Sequence, residues 1–278
     1  MSFKEITPWF KEVFMLVDDA CKTLNIPLYL IGAQARHFHL AEQGIKPGRG
    51  TMDIDFAIML PDMDIYETLK NDLLTAGFRK VTEPYRMIHD KTNTVIDLLP
   101  FGEIEEKGTV KFTDRKTEVS VIGLKEILLT SETRQLDEET VIQVTPLAGI
   151  IILKLISFDE KPERIKDLDD IHDIIIHYFE INSDRFYEIL PDVMEEFDSS
   201  RFMLEAGAWL TGYDIGQILA SHNKLKDYIL RILENEIKQE AGKMSRYFYN
   251  KAYFDDIESV KRVLYLIIMG IENDSKQD

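Results

Sequence analysis

The apolar residues of this 278-residue chain change their period once, near Pro146. Before it, short runs such as "IPLYLIG", "TMDIDFAIML", "YRMIHD", "TVIDLLPF" and "VIQVTP" read as strands, broken by turn residues. After it the strand signals stop. "LAGIIILKLISF", "PERIKDLDDIHDIIIHYF", a segment near 183 to 195 and three longer patterns to about residue 273 read as helices. Segregated periods of this kind specify an α+β chain, with a mixed domain over residues 1–145 and an all-helical region over 146–278.

Within the mixed part, Phe10, Val13, Phe14, Val17, Ala20, Cys21 and Leu24 recur at three and four residues and predict an amphipathic helix from about Ile6 to Leu24. A strand ending at Gly32 passes into the helix "AQARHFHLAEQG", which stops near Gly44, and "IKPGRG" has the chemistry of a loop. "MDIYETLKNDLLTAG" is a helix ending at Gly77. Strands follow around "FRKVT", "YRMIHD" and "TVIDLLPF", then "TEVSVIG" and "VIQVTP".

One of these strands carries a contradiction. "TMDIDFAIML" has the apolar content of a buried strand, yet holds Asp53 and Asp55. Side chains two apart share a strand face, so the two carboxylates point the same way about 6.5–7 Å apart, with Ile54, Phe56 and Ile58 on the other face. Like charges at about 5 Å and an effective dielectric of about 20 repel by roughly 3 kcal/mol, so something should offset them. A hard divalent cation does so through carboxylate oxygens; a solvated strand end is the alternative. Asp97 interrupts "TVIDLLPF" in the same manner, on a face with Val95 and Leu99, and a third acid in an apolar strand strengthens the metal reading. Gly32, where strand turns into helix, lets backbone N–H groups and the helix dipole approach an anion.

Composition narrows the classes. Hydrophobic residues at 45% and charged ones at 30% suit a folded, non-membrane protein. The longest apolar run, "GIIILKLI", is too short to span a bilayer and contains Lys154. The N-terminus lacks the apolar stretch of a secretory signal. The single Cys21 cannot close an internal disulfide, and a reducing, cytoplasmic setting fits it. A net charge of −17 opposes non-specific attachment to nucleic acid or anionic membranes. His37 and His39, and His172 and His177, are not spaced as zinc ligands. "KMSRYFYNKAYF" interleaves basic and aromatic residues that could stack bases, although helix packing explains them as well. No Walker loop, G-x-S-x-G elbow or G-x-G-x-x-G appears.

Strand–Gly–helix, D-x-D on the next strand and a later strand Asp together resemble the core of the nucleotidyltransferase (polymerase β-like) superfamily. The phrase "LIGAQARHFHL … RGTMDIDFAIML" looks most like its AbiEii/AbiGii toxin-like branch. In that branch a helical lysine and a (K/R)-D-x-x-D helix follow; here "ILKLISFDEKPERIKDLDDI" supplies Lys154, Lys166, Asp167 and Asp170. The resemblance covers roughly residues 28 to 175. It implies a mixed sheet with flanking helices, followed by a helical region that contributes Lys154 and Asp167 to the site and recognises the acceptor. It further implies that Asp53 and Asp55 hold Mg2+ (or Mn2+) bound to an NTP, that Asp97 completes a second metal position near the acceptor hydroxyl, and that Gly32 lines the phosphates. Lys154 would pair with phosphate and Asp167 would support the site. Where the superfamily commonly has Gly-Ser or Gly-Gly, this chain has Gly32 and Ala33, and Gln34, Arg36, Arg49 or Thr51 are the candidates to replace the missing hydroxyl.

Read from the residues alone, Lys154 could instead snorkel from a helix edge, and Lys166, four before Asp170, could form a surface pair with it. The function expected is transfer of a nucleoside monophosphate from an NTP to an acceptor hydroxyl on tRNA, a protein or a small molecule. The toxin-like branch adds an antitoxin protein as a partner. The rival expectation is a catalytically inactive protein of the same fold that binds nucleotide or a partner.

Overall fold

The helix Pro8–Thr23 (α1) buries Phe10, Val13, Phe14, Val17 and Cys21 on one stripe, the residues whose spacing predicts it. A computed structural model describes residues 8–46, 52–112, 116–189, 194–251 and 253–273 of the chain. After α1 come the strand Leu28–Ile31 (β1), the helix Gly32–Glu42 (α2), the strand Ile54–Leu60 (β2) and the helix Met63–Thr75 (α3). Asp62 caps α3, its carboxylate accepting the Ile65 N–H at 2.9 Å. The strands Phe78–Lys80 (β3), Arg86–His89 (β4), Thr94–Gly102 (β5), Thr109–Phe112 (β6) and Thr117–Ser120 (β7) follow. A short helix, Leu124–Leu128 (α4), and the strands Glu132–Gln135 (β8) and Val141–Val144 (β9) complete the series.

Seven strands form one mixed sheet in the order β3-β4-β5-β2-β1-β9-β8, and β6 and β7 make a separate antiparallel pair. β2 runs parallel to β5 and β1 to β9; the other pairs in the sheet are antiparallel. Ile54, Phe56, Ile58 and Leu60 of β2 are at most 1% exposed, and the Phe56 ring lies 6.3 Å from that of Phe14 on α1. Each such burial stabilises by about 1.5–3 kcal/mol. A one-residue slip would send all four to the opposite face, at a cost comparable with the net stability of a domain. The register that carries the acids is therefore held by the apolar side of the same strand.

Pro100 lies inside β5 without breaking it. Along β5, the Leu98 N–H donates to the Tyr85 carbonyl at 2.8 Å, while the ladder with β4 spans only residues 94 to 97 of β5. The N–H that Pro100 lacks would point to that same side, past the end of β4, so no ladder bond is lost.

The chain divides into two compact units, residues 1–146 and 147–278. In the second, the helices are Leu147–Glu160 (α5), Ile165–Ile189 (α6), Phe202–Leu219 (α7), Asn223–Lys238 (α8), Lys243–Tyr249 (α9) and Ile257–Asn273 (α10), with a 3-10 turn at Met194–Glu196. The helix expected near 183 to 195 is the far half of α6, bent at Asn182, followed by that turn. A side chain on Gly212 of α7 would strike the Ile267 carbonyl of α10, and one on Gly270 would strike the Trp209 carbonyl, so these two helices pack backbone against backbone. In "KMSRYFYNKAYF", Phe248 and Phe254 are buried against His172, and Tyr247 and Lys251 both bind Asp169, so part of that stretch is helix packing. No helix among the described residues is long and apolar enough to cross a membrane.

β6, β8 and α4 are elements the sequence reading did not single out. β8 illustrates why: its "ETRQ" alternates only half-buried and exposed polar residues, so no apolar period announces it. Its pairing with β9 makes it a strand.

Candidate active site on the sheet

Asp53 and Asp55 flank Ile54 and are both half-buried, whereas Ile54 and Phe56 are fully buried on the reverse side. The sheet order then adds what alternation alone does not contain. In register, Asp55 lies beside Asp97 of β5 on one side and Ile31 of β1 on the other, and Asp97 lies beside Arg86 of β4. Two carboxylates and an arginine thus stand in a row across three adjacent strands, each step about 4.8 Å.

Arg86 answers the electrostatic problem that this row creates. Its Nε donates to Asp97 Oδ1 at 2.7 Å and its Nη2 to Asp97 Oδ2 at 2.9 Å, a two-point pairing of a planar guanidinium with a carboxylate only 9% exposed. The hydrogen bond to Asp97, opposed by burial and reinforced by the charges of Asp97 and Asp53, holds the Arg86 proton more tightly than in a free guanidinium.

Gly32 sits at φ +68°, the left-handed region, and a Cβ there would run into Asp55 Oδ2. Both facts require glycine at this point. The backbone turn between β1 and α2 therefore touches the carboxylate of the D-x-D strand. Ile31, the residue at the N-cap of α2, has no side-chain oxygen to cap the helix, so the N–H groups of the first turn are left to other acceptors, and an anion is a suitable one.

The fit to a divalent cation follows from this donor set. Asp53 and Asp55 offer hard oxygens on one face, beside a glycine turn that leaves room where a side chain would intrude, and they suit magnesium or manganese. Asp97 differs, because both of its oxygens are already bound by Arg86. Among the described residues, no three His, Cys, Asp or Glu side chains are grouped to hold a metal ion as they stand. The carboxylate expected at a second metal position is thus found paired with a guanidinium.

Other residues named from the sequence have different fates. Ala33 and Gln34 lie half-buried in the first turn of α2, next to Gly32. Arg36 is 2% exposed, so it is enclosed by the unit and not presented to an arriving phosphate; one helical turn carries its side chain inward with Ala35. Arg49 and Thr51 lie outside the described residues.

In the second unit, Lys154 of α5 is clasped by two carboxylates of α6, with Nζ 2.9 Å from both Asp167 Oδ1 and Asp170 Oδ2. Asp167 also accepts from Arg164 Nε at 2.6 Å. Burial would lower the Lys154 pKa, but Asp170 and Asp167 outweigh it and raise the value above that of an ordinary lysine. Burial would raise that of Asp167, but Arg164 and Lys154 hold it below the usual carboxylate range. These facts differ from the expected phosphate contact of Lys154: a buried ammonium needs anionic partners, and α6 supplies them. The expected surface pair of Lys166 with Asp170 does not form either, since Asp170 turns inward to Lys154 while Lys166 is exposed.

Two residues of these clusters were missed in the sequence. Arg86 stands in plain view in "YRMIHD", but only the register with β5 tells which acid it meets. Arg164 had a readable signal, the three-residue spacing to Asp167 on a helix start.

No protein-family model matches the chain, and no curated protein matches it. Among solved structures, the chain is similar to the solution structure of the antibiotic-resistance factor ANT(2'')-Ia, with 12% identity and a TM-score of 0.38 over 78% of this chain and 100% of that one. It is also similar to the Thermotoga maritima CCA-adding enzyme complexed with tRNA, with 15% identity and a TM-score of 0.31 over 99% of this chain and 72% of that one.

Proposed function

We propose that this chain is a nucleotidyltransferase: an acceptor hydroxyl attacks the α-phosphorus of an NTP, the bond to pyrophosphate breaks, and a nucleoside monophosphate is transferred. The observation that supports it is the contact of the left-handed Gly32 turn with Asp55, itself in register with Asp97 and two residues from Asp53. A phosphate-compatible helix start and a pair of hard oxygen ligands are then neighbours, the juxtaposition that a metal–triphosphate substrate needs.

In this reading Asp53 and Asp55 would hold the Mg2+ or Mn2+ that accompanies the NTP. The cation would neutralise charge on the triphosphate and on the departing oxygen. Gly32, with the backbone of Ala33 and Gln34, would receive phosphate oxygens at the first turn of α2. Asp97, fixed by Arg86, would border the acceptor side. Lys154, Asp167 and Asp170 would act as an internal clasp between α5 and α6.

The charge of −17 favours a protein or small-molecule acceptor over tRNA, whose backbone a basic surface would have to meet. Kinship with the toxin-like branch would add an antitoxin as partner. One observation favours a second reading: Asp97 is committed to Arg86, as it would be in a protein of this fold that binds nucleotide without transferring it.

Native protein and an Asp53→Asn/Asp55→Asn variant, each given magnesium and one α-labelled NTP at a time in cell extract, test the proposal. Label should pass to an acceptor only with native protein. Equal labelling by both, or none with any nucleotide, refutes the enzyme, and tight nucleotide binding without labelling selects the second reading.

A further inference from the structure

Arg86 is paired in register with Asp97, so its position follows from the β4–β5 ladder and not from a chance rotamer. Both Asp97 oxygens accept from it. Its side chain is 33% exposed against 12% for Asp97, so the guanidinium is the more solvent-accessible member of the pair. It also feels the charge of Asp53, although in the strand row Asp97 stands between it and Asp55. Guanidinium is permanently charged and has five N–H donors, of which Asp97 uses two.

We propose that this site takes one divalent cation, on Asp53 and Asp55, and that Arg86 supplies the positive charge at Asp97 in place of a second. Arg86 is a positioning residue: it holds Asp97 away from metal. The proposal rests on the transferase reading above and makes that reading specific for a single metal.

Metal stoichiometry tests it without reference to turnover. Manganese is titrated into the full chain in the presence of a non-hydrolysable NTP analogue, and bound ion is followed by electron paramagnetic resonance. Sites on the acidic surface are removed from the count by subtracting the binding of the Asp53→Asn/Asp55→Asn variant. Wild type should hold one ion, Arg86→Lys one, Arg86→Gln two, and Arg86→Gln/Asp97→Asn one again. Two coupled ions in the wild type overturn the proposal and leave the transferase reading intact. A second ion that fails to appear in a folded Arg86→Gln protein also overturns it. No site-specific ion in the wild type removes the metal reading of Asp53 and Asp55, and this proposal with it. The wild-type count stands even if Arg86→Gln does not fold.

Discussion

Arg86 and Asp97 meet across β4 and β5 with two hydrogen bonds, of 2.7 and 2.9 Å, and Asp55 stands on the other side of Asp97 in the same row. Removing the guanidinium takes from Asp97 the cation that both of its oxygens bind, beside the second carboxylate of Asp55. Arg86→Ala should lose about 1–3 kcal/mol, the lower part of the range reflecting the partial exposure of Arg86. Thermal unfolding should show that magnesium or manganese restores much of the loss in Arg86→Ala and does less for the wild type; a variant as stable as wild type without metal contradicts the assignment.

Gly32→Ala places a Cβ in the left-handed region and against Asp55 Oδ2 at once. The backbone term alone costs about 1–2 kcal/mol, and relief of the clash must move Asp55 or the turn. Nucleotide binding, measured by equilibrium dialysis, should fall by an order of magnitude or more, about 1.4 kcal/mol per factor of ten. Unchanged affinity would separate the glycine from the phosphate site.

Lys154→Met leaves Asp167 and Asp170 buried beside each other with Arg164 as the remaining cation on Asp167. Breaking a buried pair from one side costs about 3–5 kcal/mol. In a double-mutant cycle by urea denaturation, Lys154→Met and Asp167→Asn together should destabilise by at least about 1 kcal/mol less than the sum of the two singles. Additive losses would show that the clasp is not a coupled pair.

The clasp also sets a pH dependence. Asp167 has a folded pKa below its unfolded value, near 3.9. Its contribution is full above the unfolded pKa and is lost as pH falls through the folded one. Lys154 has a folded pKa above its unfolded value, so its share is full below about pH 10.4 and is lost as pH rises through the folded value. Melting curves of wild type and Asp167→Asn should differ most near neutrality, and the gap should narrow as pH falls past the unfolded pKa of the carboxyl and close below its folded one; a gap that stays constant in acid would exclude Asp167 as the titrating group.

Cys21 is buried on α1, and burial first, then the charge of Asp18, pushes its thiol up to about 12. At pH 8 the native protein should react with a thiol reagent at least a hundred times more slowly than the urea-unfolded chain, on the order of the lost thiolate fraction. Comparable rates would mean that α1 opens readily.

Much of this was legible in the residues themselves. The period change near Pro146, the shared face of Asp53 and Asp55 and the turn at Gly32 all follow from local rules, because helical and strand periods are properties of neighbouring residues. Asp62 at the start of α3 is readable for the same reason, since a cap acts within one turn. What lay beyond reach are the partners: that Asp97 stands beside Asp55, that Arg86 pairs with it, and that Lys154 turns to Asp167 and Asp170. Strand order β4-β5-β2-β1 joins residues far apart in the chain, and the packing of α5 on α6 decides which acids Lys154 meets. Those pairings are chosen by collective burial of apolar faces, a free energy summed over the whole fold, and no short stretch of sequence contains it.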